Sequence, residues 1–63
     1  EIHCIVNFYN NTTTKIQYLS GNLFVTVHEY VKGEEHDANL MFSGTVLQDF
    51  IVYLDNGDIE QIQ

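Results

Sequence analysis

The sequence predicts a mainly β protein, a small antiparallel meander of about five strands that forms a curled sheet or a small barrel. Three observations support this fold class. The 63-residue chain contains no proline, it shows no long helical periodicity, and it is rich in β-branched and aromatic residues, which favour strands. A chain of this length forms a single domain (residues 1–63) and buries only a small share of its surface.

The first third of the chain contains one clear strand and one ambiguous segment. Residues 2–9 alternate between apolar and polar side chains, which indicates a strand with one apolar face. The polar segment NNTTT (10–14) is predicted to be a connection. KIQYL (15–19) fits either a short strand or one helical turn, so a short helix within residues 10–22 stays open.

The strand signal is clearest in LFVTVHEYV (23–31), whose alternate residues point to opposite faces of a sheet. KGEEHD (32–37) is predicted to be an acidic loop. ANLMFS (38–43) is then expected to return as a strand antiparallel to 23–31, and Gly44 is expected to end it. This part of the chain therefore predicts an antiparallel pair formed by the strands 23–31 and 38–43.

The last two strands are predicted to be DFIVYLD (49–55) and DIEQIQ (58–63). Asn56-Gly57 between them is typical of a two-residue type I′ hairpin turn. That register places Asp55 directly opposite Asp58, and like charges facing each other across a strand pair are destabilising. Without a helix to cover it, the sheet must close on itself or bury its apolar face in a partner.

The charge of the chain is strongly asymmetric. Nine acidic residues stand against two lysines, giving a formal net charge of −7. Residues 33–63 hold seven of the acids and no base. This excess excludes direct binding to nucleic-acid phosphates, which requires a basic surface. It favours solubility, cations or a basic partner surface instead.

The nucleophilic and ligating residues do not form a recognisable catalytic or metal motif. Cys4 and the three histidines lack the spacing of a known catalytic arrangement, so we do not expect an enzyme. The acidic segments 34–37 and 55–58 supply oxygen ligands but do not follow the EF-hand pattern. The sequence therefore predicts neither a metal nor another cofactor.

The chain also lacks the signals of a membrane or secreted protein. No apolar run approaches the roughly 18 residues that span a bilayer, and there is no signal-peptide pattern. We therefore expect the protein in the cytoplasm of a host cell, with no membrane partner. A calcium-binding extracellular module remains an alternative.

Several short motifs after residue 22 point to a known family. They are Val27-His28-x-Tyr30 on a strand, the acidic loop 32–37, Asn39-Leu40-Met41-x-Ser43, and Ile51-Val52 followed by Asp55-Asn56-Gly57. In these motifs the chain resembles the phage-encoded uracil-DNA glycosylase inhibitors, although the long helices of that family and the acidic-serine-aliphatic motif of its first strand have no counterpart here. The resemblance implies a small antiparallel sheet with an acidic surface that mimics DNA. It also implies a hydrophobic pocket, to which Met41 and, less closely, Val27 correspond.

Charge and resemblance together predict a small acidic inhibitor that binds a host DNA- or RNA-acting protein, such as a nuclease, a DNA glycosylase or a CRISPR effector. It would occlude the basic groove of that protein by mimicking nucleic acid. The carboxylates expected at phosphate subsites are Asp49, Asp55, Asp58 and Glu60, with Glu34, Glu35 and Asp37 beside them, and the expected apolar contacts are Phe24, Met41, Phe42 and Tyr53. The alternative is a structural or assembly module that homodimerises through the edges of its sheet.

Overall fold

The computed structural model describes the whole chain, residues 1–63, and confirms a mainly β fold with five antiparallel strands. The strands are β1 (Ile2–Asn7), β2 (Thr12–Leu19), β3 (Asn22–Glu29), β4 (Val46–Tyr53) and β5 (Asp58–Gln61), and one short 3-10 helix spans Glu34–His36. Each strand pairs with its neighbour in sequence, in the order β1-β2-β3-β4-β5. Because β1 and β5 do not pair with each other, the sheet is open and does not form a barrel.

The ambiguous segment before residue 20 is a strand, and residues 10–22 contain no helix. Ser20 and Gly21 both have positive φ values, 54° and 83°, and they connect the facing pair Leu19 and Asn22. Two consecutive left-handed residues are the requirement of a type I′ turn. This turn joins β2 to β3 directly, so the threonine-rich segment pairs as a strand.

The predicted strand at residues 38–43 is wrong, because this segment is folded into turns. The main-chain N–H groups of Leu40 and Met41 both donate to the carbonyl of Asp37. The Asp37 carboxylate also accepts from the N–H of Asn39 at 2.9 Å. Asp side chains compete in this way with regular pairing. The strand that pairs with β3 starts only at Val46.

The final hairpin is displaced by two residues from the predicted register. Tyr53 pairs with Asp58, so the connection is the four-residue loop 54–57 rather than a two-residue turn. The N–H of Gly57, whose φ is 77°, donates to the carbonyl of Tyr53 at 2.7 Å. The prediction that Asp55 faces Asp58 across the hairpin is therefore wrong, and the expected repulsion between facing strand residues is absent.

The two faces of the sheet differ in chemistry. The strand register places nine apolar side chains on the first, here named the apolar face: Ile5, Ile16, Tyr18, Leu23, Val25, Val27, Phe50, Val52 and Ile59. The same face also carries seven polar residues: His3, Asn7, Thr12, Thr14, Glu29, Gln48 and Gln61. The second, named the polar face, carries all the strand aspartates and the one strand lysine: Thr13, Lys15, Phe24, Thr26, His28, Asp49, Ile51, Tyr53, Asp58 and Glu60. Its residues on β1 and at the far end of β2 are Ile2, Cys4, Val6, Gln17 and Leu19, and Asn22 lies beside them on β3. Residues 30–45 fold over one end of the polar face and are named the covering segment. The apolar face has no such cover, and no hydrophobic residue of the chain is fully buried.

Candidate protein-binding surface

Five of the predicted partner-binding residues lie together on the polar face, on strands β3, β4 and β5. They are named the acidic patch: Phe24, Asp49, Tyr53, Asp58 and Glu60. Asp58 and Glu60 are two residues apart on β5, which separates them by about 6.8 Å on one face. Tyr53 pairs directly with Asp58, and only Ile51 lies between Phe24 and Glu60 across the strands. The register thus brings two aromatic rings next to three carboxylates.

Hydrogen bonds fix two of these carboxylates. The Tyr53 hydroxyl donates to Glu60 Oε1 at 2.7 Å, and the Thr26 hydroxyl donates to Asp49 Oδ1 at 3.1 Å. The bond to the Glu60 carboxylate raises the pKa of Tyr53 above its ordinary value. Tyr53 therefore remains a neutral donor.

No basic side chain neutralises the acidic patch. Strands β4 and β5 contain no lysine or arginine. Lys15 lies on β2, where its ammonium is 5.3 Å from the centre of the Phe42 ring, and Lys32 is in the covering segment. The two contacts between a histidine and a carboxylate involve Glu1 and Glu35, which lie outside the patch. The patch therefore presents a negative surface next to two half-buried aromatic rings.

The remaining predicted acids are divided between the two ends of the sheet. Asp55 is exposed in the loop 54–57, which follows β4 and borders the acidic patch. Glu35 and Asp37 belong to the covering segment, which precedes β4, whereas Tyr53 of the acidic patch ends this strand. No strand pairing or hydrogen bond joins these two acids to the acidic patch, so their expected place beside it stays a prediction. The Glu35 carboxylate instead accepts from the Tyr30 hydroxyl.

Glu34 is buried, so its predicted role as a surface contact is wrong. Only 1% of the residue is exposed. Its Oε1 accepts from the Thr13 hydroxyl and from the N–H of Val31, each at 2.8 Å, and its Oε2 accepts from the N–H of Phe42 at 3.4 Å. Burial raises the pKa of Glu34, but these bonds and the nearby His28 outweigh it and hold the pKa below its usual value. Glu34 thus anchors the covering segment to β2.

Met41 and Phe42 lie in the covering segment and are half-buried. Phe42 has a φ of 60°, a left-handed conformation that is costly for a bulky residue. Its ring packs 5.6 Å from the ring of His28 and over Lys15. The four expected apolar contacts are therefore divided, because Phe24 and Tyr53 belong to the acidic patch while Met41 and Phe42 belong to the covering segment.

The other chemistry-bearing groups do not assemble into a site. No group of three or more His, Cys, Asp or Glu side chains is arranged to hold a metal ion. Cys4 is exposed on β1, and the partial desolvation of its thiol, together with repulsion from Glu34, raises its pKa. His28 contacts the Gly44 carbonyl through Nδ1 at 3.3 Å, while its Nε2 is buried without a partner.

A concave feature lies on the apolar face, and neither Met41 nor Val27, the residues that correspond to the pocket implied by the resemblance, lines it. It is a shallow depression of about 270 Å³ lined by Val25, Phe50, Val52 and Ile59. The signal for it was present in the alternation of β3 and β4, which places these side chains on one face. Their proximity depends on the register between three strands, which the alternation alone does not give.

The comparisons with known proteins leave this surface as the main guide to function. No family model, curated protein or solved structure matches the chain. No helix of the protein has the length and apolar character needed to cross a membrane.

Proposed function

We propose that the protein is a small acidic inhibitor that binds a host DNA- or RNA-acting protein through the acidic patch. The observation that carries this proposal is the placement of Asp49, Asp58 and Glu60 beside Phe24 and Tyr53, on a half of the sheet without a basic residue. Such a surface complements the basic groove of a nuclease, a DNA glycosylase or a CRISPR effector. The uracil-DNA glycosylase inhibitors that the sequence resembles are a precedent for this mode of action.

The mechanism is occlusion of the groove by a surface that imitates a nucleic-acid backbone. Carboxylates spaced about 6.8 Å apart along β5 take phosphate positions, and their field speeds the encounter with a basic partner. Exposed ion pairs contribute only about 0–1 kcal/mol each. The rings of Phe24 and Tyr53 therefore supply most of the contact energy, since aromatic side chains dominate such interfaces.

A pull-down from host lysate at low and high salt tests this proposal. Wild-type protein should capture a DNA- or RNA-acting protein, and capture should weaken at high salt. The double variant Asp58→Asn with Glu60→Gln should lose it. The variant Glu1→Gln with Glu35→Gln has the same net charge but leaves the patch intact, and it should retain capture. Equal capture by both variants, or recovery of no such protein, contradicts the proposal.

A second candidate is a structural or assembly module that forms homodimers. The specific observation in its favour is the uncovered apolar face, because the chain has no fully buried hydrophobic residue. This role is compatible with inhibition, since the acidic patch lies on the opposite face of the sheet.

A further inference from the structure

We infer that two copies of the chain pack face to face through their apolar faces, forming a two-layer β-sandwich with an acidic patch on each outer side. This inference deepens the assembly role and does not depend on the inhibitor proposal. The structural reason is the absence of a second layer over the apolar face. A sheet with one apolar face gains stability by burying that face against another layer.

The apolar face leaves a large fraction of several apolar side chains exposed to water. Ile5 and Tyr18 are each 55% exposed and Ile59 is 68% exposed, although all three side chains project from strands of the sheet. The other six apolar side chains of this face are half-buried by their neighbours within the sheet. A second layer placed on this face would remove all nine side chains from water, which is the main driving force for association.

The charge distribution makes a second copy a suitable occupant. Self-association of a chain with a net charge of −7 is opposed by repulsion unless the charges lie away from the contact. On the apolar face the only ionisable strand residues besides Tyr18 are His3 and Glu29, both exposed at its margin. Packed sheets lie about 10 Å apart, so the outward patches are separated by more than the Debye length of about 8 Å at physiological salt.

The area of the face is sufficient for a specific dimer. Sixteen side-chain positions point to this side of the five strands, nine of them apolar and seven polar, including the marginal His3 and Glu29. Each occupies about 33 Å², given strand spacing near 4.8 Å and a repeat near 6.8 Å, so the face measures roughly 500 Å² per copy. Two copies would bury at most about 1,000 Å², reached when the margin is included, and this is near the lower limit for a specific interface. We therefore expect a reversible dimer at micromolar concentrations.

The shape of the face is also suited to two-fold pairing. Its depression is lined only by apolar side chains, and Tyr18 on β2 is the largest exposed side chain of the same face. In a two-fold arrangement each copy offers both features to the other. Pairing through the β1 edge, by contrast, would extend the sheet and leave both apolar faces open to water.

Analytical ultracentrifugation across about 1 to 200 μM tests this inference. Lysine is introduced on either face of the sheet, so that the variants differ only in which face carries the new charge. Tyr18→Lys and Ile59→Lys place a charge on the apolar face. Ile2→Lys is the matched control, because Ile2 is 53% exposed on the edge strand β1 but belongs to the polar side of the sheet. Wild type and Ile2→Lys should dimerise, and both face variants should sediment as monomers even at the highest concentration.

Three outcomes would overturn the inference. A folded wild-type monomer at the highest concentration means that something other than a second copy covers the face. Loss of the dimer in Ile2→Lys with retention in Tyr18→Lys means that the edges pair. A dimer that persists in both face variants means that another surface is used. Far-ultraviolet circular dichroism separates dissociation from unfolding, and a melting temperature that rises with protein concentration supports the inference independently. A negative pull-down would refute the inhibitor proposal without changing any of these results.

Discussion

The two faces of this sheet differ in what they bury. The covered end of the polar face contains the three buried residues of the protein, Thr13, His28 and Glu34, and all three are polar. The apolar face buries nothing completely. The comparison shows that the completely buried groups of the single chain belong to a hydrogen-bonded network, while none of its hydrophobic side chains is fully buried. Substitutions on the two sides should therefore separate folding of the monomer from assembly.

Removal of the Glu34 carboxylate should have the largest effect on the free energy of unfolding. Glu34→Ala leaves the Thr13 hydroxyl and two main-chain N–H groups without their acceptor, and the expected loss is about 3 kcal/mol. Glu34→Gln is the control, because it keeps the volume and one acceptor oxygen and should lose only about half as much. Urea denaturation of both variants measures this. A loss below about 0.5 kcal/mol for Glu34→Ala would mean that the network does not organise the chain.

Gly44→Ala should have the second-largest effect on the free energy of unfolding, because the covering segment lies against the end of β3 at Gly44. An added Cβ would lie 1.9 Å from the carbonyl oxygen of Glu29, so main chain must move, at an expected cost of about 2–3 kcal/mol. Gly57→Ala is the control, since its Cβ would meet nothing within 4 Å and only the positive φ is unfavourable, by about 1 kcal/mol. Equal losses in thermal melts of the two variants would contradict this difference.

Stability should also decline at acid pH because of Glu34. Its pKa is lower in the folded protein than its ordinary value of 4.5, so protonation favours the unfolded chain. Its contribution is complete above about pH 4.5 and is lost as the pH falls through the folded pKa. Denaturation midpoints measured from about pH 6 to about pH 3 should fall more steeply for wild type than for Glu34→Gln. Parallel curves would exclude Glu34 as the source of the acid sensitivity.

The smallest effect is expected at the last hairpin. Asp55 lies in the loop 54–57 and does not face Asp58, which pairs with Tyr53 instead. Asp55→Asn and Asp58→Asn should each change stability by less than about 0.5 kcal/mol, and the two changes should add. A double-mutant cycle measures the coupling. A coupling energy above about 0.5 kcal/mol would show that the two carboxylates repel each other after all.

Side chains along a strand alternate between the two faces of the sheet, and this alternation was enough to predict much of the sheet. It separated the faces of β3 correctly, and the error of two residues in the last hairpin left each side chain on its predicted face, because faces repeat every second residue. The common face of Asp58 and Glu60 could be predicted for the same reason.

The covering segment could not be predicted in this way. Its turns depend on the Asp37 side chain, and its attachment depends on a hydrogen bond from Thr13 to Glu34, 21 residues apart in sequence. An acidic residue in a polar loop gives no sign that it will be buried. The division of the predicted acids between the two ends of the sheet follows from the same segment.

The simple neighbour-to-neighbour order of the strands has a consequence for how fast the chain folds. Every strand pair is formed by consecutive segments, and local contacts favour rapid folding. The two-residue turn Ser20-Gly21 makes β2 and β3 the shortest closure, on the scale of about 1–10 μs for a hairpin. Residues 30–45 form the longest connection, so we expect the pairing of β4 with β3 and the docking of Glu34 to come after this early hairpin.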